Sequence, residues 1–137
     1  MAKKVSKLSG AGKSPAKPAS FEDMIGGHSS EIQATANRLR ALVREVLPEA
    51  DENIYGGAKT GIALYSIGGP NKVICGIQPS DGACLLYIHN ITELTHPDLK
   101  LEGKGGNNRH VKFNSAGEIK LEPVKWLLGE GKRLCKP

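Results

Sequence analysis

The sequence predicts an α+β fold, a two-layer sandwich of an antiparallel sheet of about four to five strands against a long N-terminal and a short C-terminal helix. Three observations predict it. A 3.6-residue apolar period holds over residues 31–47. It then gives way to a period near two, broken by turn residues. A second helical pattern follows Pro123. Helix, strands and helix in that order segregate the helices to one face of the sheet.

The domain begins after a lysine-rich tail. Residues 1–19 are mostly Lys, Ser, Ala, Gly and Pro without an apolar period. Such a segment buries too little surface to offset the entropy of ordering, so disorder is expected there. Residues 20–137 are expected to form one domain, in keeping with a chain of 137 residues.

Phe21, Met24 and Ile25 form a short apolar patch that Gly26 and Gly27 interrupt. Ser29 and Ser30 suit the N-cap of the next segment. In it Ile32, Ala36, Leu39, Val43 and Val46 recur at spacings of 4, 3, 4 and 3, one face of a helix. Gln33, Asn37, Arg40 and Arg44 fall off that face and are expected in solvent. Pro48 ends the helix by disfavouring helical angles at Leu47.

Strands are predicted over 61–67, 72–78, 83–89 and 110–113, and the pattern allows another at 53–55. Gly68-Gly69-Pro70-Asn71 and Pro79-Ser80-Asp81-Gly82 are read as turns. Connections this short imply an antiparallel meander. Thr92–Leu94 reads as a helical turn within a polar stretch. Pro123 suits a helix start, with Val124, Leu127 and Leu128 on one face, and Gly129 and Gly131 are expected to keep that helix short.

Charge narrows the function classes. The formal net charge is +5, and Lys3, Lys4, Lys7, Lys13 and Lys17 all lie in the tail, with no acid before Glu22. The 19 basic residues less these five match the 14 acidic ones, so the domain is formally neutral. A domain that grips duplex phosphates usually has a basic face of its own. Nucleic-acid or other polyanion contact is therefore expected through the tail or not at all. Cys75, Cys84 and Cys135 show no metal-ligand spacing and no even-numbered disulfide set, which fits a reducing, cytoplasmic setting. No apolar run approaches a membrane span, and no apolar segment follows the first lysines as a secretory signal requires.

The most distinctive run is Gly103-Lys104-Gly105-Gly106-Asn107-Asn108-Arg109-His110. Glycines let successive backbone N–H groups converge on an anion. Arg109 adds a planar fork for phosphate or carboxylate. The run precedes a strand and lacks the Ser or Thr of a phosphate-binding nucleotidase loop. His28, His89, His96 and His110 do not fall at helical spacings, although His89 and His110 become neighbours if their strands pair. Glu45, Glu49, Asp51 and Glu52 cluster around the end of the first helix, and carboxylates joined by a histidine suit iron. No serine occupies a Gly-x-Ser-x-Gly elbow, so no catalytic residue is assigned.

Leu47-Pro48-Glu49-Ala50 followed by Glu52-Asn53-Ile54-Tyr55-Gly56-Gly57 resembles one signature of the YdhG-like family, a domain of unknown function. Leu101-Glu102-Gly103 with Arg109-His110-Val111-Lys112 resembles a second, in the right order. The chain departs from the family pattern at Ala58, where Pro is frequent, and at Gly106, where Lys is frequent. The resemblance implies a small bacterial α+β domain. It carries over Tyr55, Gly56, Gly103, Gly105, Arg109 and His110 as matched positions. Some relatives are described as frataxin-like iron chaperones.

These readings lead to a non-enzymatic domain that binds a small ligand or anion through Tyr55, His89, Gly103, Gly105, Arg109 and His110. The alternatives are iron binding by Glu45, Glu49, Asp51 and Glu52, and polyanion contact by the tail.

Overall fold

The computed structural model describes residues 20–56, 61–69, 71–89, 96–103 and 108–134. The tail, the turn expected at Thr92–Leu94, Gly105 and Cys135 lie outside the described residues.

The apolar patch after the tail forms a one-turn helix, α1 (Phe21–Ile25). The Ser20 hydroxyl accepts from the Asp23 N–H at 3.1 Å and satisfies one donor of the exposed helix start. Phe21, Met24 and Ile25 all enter the core. Ser29 caps α2 (Ser30–Val46) in the same way, accepting from Ile32 N–H at 3.2 Å. The apolar face buries Ile32, Ala36, Leu39, Leu42 and Val43. Most of a helix's stability in a protein comes from packing of its apolar face. Fully burying a Leu, Ile or Val side chain stabilises by about 1.5–3 kcal/mol, so packing holds it. Leu47 leaves helical geometry at φ −124° and ψ 63°, immediately before Pro48.

The chain then forms β1 (Asp51–Tyr55), β2 (Ile62–Ser66), β3 (Val73–Ser80), β4 (Ala83–His89) and β5 (Asn108–Phe113). These pair antiparallel in the order β1-β2-β3-β4-β5, the expected meander. A single-turn 3-10 helix, Ala116–Glu118, leads into α3 (Leu121–Leu134).

Three local readings change. Pro79 and Ser80 belong to β3, not to a turn, and the hairpin closes on Asp81-Gly82 alone. Gly82 has φ +83°, the left-handed geometry of a two-residue hairpin loop. Pro79 is tolerated because β2 pairs with β3 only as far as Ile77 on that side. Second, α3 runs through both Gly129 and Gly131. A Cβ on Gly131 would lie 3.2 Å from the Cγ2 atoms of Ile74 and Ile88, so this glycine seats the helix against the sheet. Third, Arg40 is not simply solvated but sits in an ion-pair cluster with Glu52.

Both α2 and α3 pack on β3 and β4. Alternation along the strands sends Ala63, Tyr65, Cys75, Ile77, Leu86 and Ile88 to the helix side, where all are buried. The opposite, outer face carries Leu64, Gln78, Leu85, Tyr87 and His89, all half-buried. No described helix lies on it. No described helix is long and apolar enough to cross a membrane.

Candidate functional site

The glycine run is tied to β5 by backbone pairing. Glu102 and His110 exchange both hydrogen bonds, at 2.8 Å and 2.7 Å. Glu102 thus pairs antiparallel with β5 at the sheet edge. Gly103 has φ +149°, and a Cβ there would meet the Asn108 carbonyl oxygen at 2.9 Å and the Arg109 Cδ at 3.2 Å. Only glycine fits this geometry without displacing neighbouring backbone. The Arg109 stem thus lies against Gly103, and its Nη1 donates to the Asn108 carbonyl at 2.8 Å.

Arg109 and His110 are consecutive in a strand and point to opposite faces. His110 shares the outer face with Tyr87, its cross-strand partner, with ring centroids 5.4 Å apart. The Tyr87 hydroxyl donates to Gln78 Oε1 at 3.0 Å. Glu102 Oε1 approaches His110 Nε2 at 3.8 Å. His89 lies on the same face opposite Asn108, one diagonal step from His110. Burial lowers the His89 pKa and favours its neutral form. Neutral imidazole both donates and accepts a hydrogen bond.

The expected residues thus divide into groups. Gly103 packs on Arg109, and His89 and His110 are diagonal neighbours on the outer face, as pairing of their strands required. Tyr55 is elsewhere. It lies on β1, four strand spacings or about 19 Å from β5. Gly105 falls outside the described residues. Tyr87, Gln78 and Glu102 complete the outer-face cluster and were not singled out by sequence. Only Tyr87 had a readable signal, since a strand over 83–89 puts it on the same face as His89.

The carboxylates proposed for iron do not converge. Glu45 pairs with Lys125 at 2.7 Å, and Glu49 with Lys132 at 2.6 Å. Asp51 and Glu52 are adjacent in β1 and face opposite ways. Glu52 is held by Arg40 Nε at 2.8 Å, Arg40 Nη2 at 2.7 Å and the Tyr65 hydroxyl at 2.6 Å. Burial disfavours the Glu52 carboxylate, but the hydrogen bonds from Arg40 and Tyr65 outweigh it and hold its pKa below the ordinary range. The Arg40 guanidinium also sits 4.5 Å from the Phe21 ring centre and 3.0 Å from Glu22. This cluster ties α1, α2, β1 and β2 together.

Among the described residues, no three His, Cys, Asp or Glu side chains are arranged to hold a metal ion. His96 packs against Trp126 with ring centroids 4.9 Å apart, and its Nδ1 accepts from Asp98 N–H at 3.0 Å. Cys75 and Cys84 are buried, and burial pushes both thiols up, Cys84 to about 12. Neither is a thiolate near neutral pH.

Comparison with family models, with curated proteins and with solved structures gives no match.

Proposed function

We propose that the domain is a non-enzymatic binder of a small anion at the β5 edge. The observation that carries this reading is the packing of Arg109 on Gly103, where a Cβ would reach its Cδ at 3.2 Å. A planar guanidinium packed on a glycine that opens a glycine-rich run suits phosphate or carboxylate. Arg109 anchors the negative group. His110 and His89, across the edge on the outer face, offer hydrogen bonds to the rest of the ligand. The resemblance of Gly103, Arg109 and His110 to the second YdhG-like signature supports the same place. Tyr55 is left out because it lies on the far strand.

Arg109 and His110 have separate roles in this reading. Cross-strand partners share a face, so Glu102 stands beside His110 and on the opposite side from Arg109. The anion therefore meets the guanidinium without facing that carboxylate.

A thermal-shift series with phosphate, nucleotides and small carboxylates tests the reading. A ligand at 100 times its Kd stabilises by about 2.7 kcal/mol, which raises Tm by several degrees. Arg109→Ala is expected to abolish the shift while keeping a cooperative melt. The proposal fails if no anion stabilises the protein, or if the shift survives in Arg109→Ala.

A further inference from the structure

We propose that the outer sheet face is a homodimer interface, with two copies packed sheet to sheet about a twofold axis running along β3. The face has an apolar centre placed evenly about its middle strand. Leu64 of β2 and Tyr87 of β4 both register on Gly76 of β3. One step of the alternation away, Leu85 registers on Gln78, and Ile62, just beyond the last paired residue of β2, reaches over Gly76 from the same face. Ile62, Leu64, Leu85 and Tyr87 are only half-buried, and no described helix covers them. Gly76 leaves room at the centre, and Leu64 already leans across it, since a Cβ there would lie 2.8 Å from Leu64 Cδ2. The middle of the face is therefore filled by Leu64 and Ile62 over Gly76, and its polar pair, Tyr87 and Gln78, is bonded to itself.

A second copy is the occupant this pattern fits. Rotation about β3 lays β5 of one copy over β1 of the other. Leu64 then meets the partner's Tyr87 and Ile62 meets the partner's Leu85, apolar on apolar. The rims complement each other as well. Lys112 on β5 is exposed and comes opposite Tyr55, which is 40% exposed on β1. A cation over an aromatic ring is favourable. Asp51 at the other end of β1 comes opposite His89 and Asn108, so the dimer covers the outer-face histidines and leaves the anion contact to Arg109 on the other face of β5. Glu102 lies past β5, outside the overlap. The domain is formally neutral once the tail lysines are set aside, so two copies do not repel.

The area is sufficient for a weak dimer. Five strands at about 4.8 Å spacing and about 20 Å length give a footprint of about 480 Å² per copy. Two copies bury about 960 Å², in the class of weak, transient encounters below about 1,200 Å². Aligned sheets pack face to face about 10 Å apart, so the side chains of the two faces interdigitate.

Sedimentation analysis of the full chain from about 1 μM to about 1 mM, the range of moderate to weak affinities, reads the dimer directly. The wild type is expected to pass from monomer to dimer within it. Leu85→Lys, and the milder Leu85→Gln, should raise the dimer Kd about tenfold or more while keeping a cooperative melt. Trp126→Lys, on the exposed side of α3, should leave it unchanged. For the orientation, Lys112→Cys and Tyr55→Cys copies in a Cys135→Ser background should cross-link to each other with a short bismaleimide. Self-linking of Lys112→Cys alone would place β5 over β5 and overturn the proposed axis. A wild type that stays monomeric throughout overturns the proposal, as does loss of the dimer in Trp126→Lys instead of Leu85→Lys. Arg109→Ala should keep the dimer, so failure of the anion reading and failure of this one are told apart.

Discussion

Replacing Glu52 by alanine should cost about 2–4 kcal/mol at neutral pH, and the structure shows where the loss arises. The substitution removes three hydrogen bonds between 2.6 Å and 2.8 Å, two from Arg40 and one from Tyr65. Tyr65 is 2% exposed, so its hydroxyl is left without its partner in the interior. An unsatisfied buried hydroxyl costs about 1–3 kcal/mol. Removing one member of a fully buried ion pair costs about 3–5 kcal/mol. Arg40 falls well short of that, because its side chain is 21% exposed and keeps Glu22 at 3.0 Å. Its share is about 1 kcal/mol, the upper end for a partly exposed pair. With a urea m-value of about 2 kcal/mol/M, the unfolding midpoint should fall by about 1–2 M. Tyr65→Phe in the Glu52→Ala background removes the stranded hydroxyl and should recover about 1 kcal/mol relative to additivity.

The same cluster sets a pH dependence. The folded pKa of Glu52 lies below its unfolded value, so the carboxylate stabilises fully above about pH 4.3, the ordinary value. That contribution fades as pH falls through the folded value. The difference between wild type and Glu52→Ala should therefore shrink on acidification. A loss below about 1 kcal/mol at pH 7, or one equally large in acid, would refute the reasoning.

The two glycines of α3 should behave in opposite ways. At Gly129 a Cβ meets nothing within 4 Å, so Gly129→Ala should stabilise by about 0.5–1 kcal/mol through helix propensity. Gly131→Ala pushes on Ile74 and Ile88, which should cancel or reverse that gain in the same urea titration. Gly103→Ala, at φ +149° and against the Asn108 carbonyl, should destabilise by about 1–3 kcal/mol and remove anion binding with it. Deleting residues 1–19 removes five lysines and no acid, so heparin retention should fall and lose its salt dependence; unchanged retention would place polyanion contact in the domain.

Elements dictated by local pattern were legible. The spacing from Ile32 to Val46, the Ser29 cap and Pro48 located α2 to within a residue at each end. Period-two alternation located β4 at Ala83–His89. The Pro79 turn was misplaced because Asp81-Gly82 suffices to reverse the chain, and a proline is harmless where β2 has no further pairing. The Arg40–Glu52–Tyr65 cluster was illegible, since its members are 12 and 13 residues apart on three elements. Arg40 read as solvent-facing because helix periodicity counts apolar positions and does not reveal what a strand presents to the rest.

The site divides along the same line. Sequence alone determined that glycines precede Arg109 and His110, and the structure, by starting β5 at Asn108, sends those two side chains to opposite faces. Only the tertiary structure decided that Gly103 supports Arg109, that His89 lies beside His110, and that Tyr55 stands on the opposite edge. It alone dispersed Glu45, Glu49, Asp51 and Glu52 among separate partners and faces. The physical reason is range. Helix, strand and turn preferences act over a few residues and leave a period in the chain. Strand order and cross-sheet partners arise when distant segments bury their apolar faces together, and no local pattern records them.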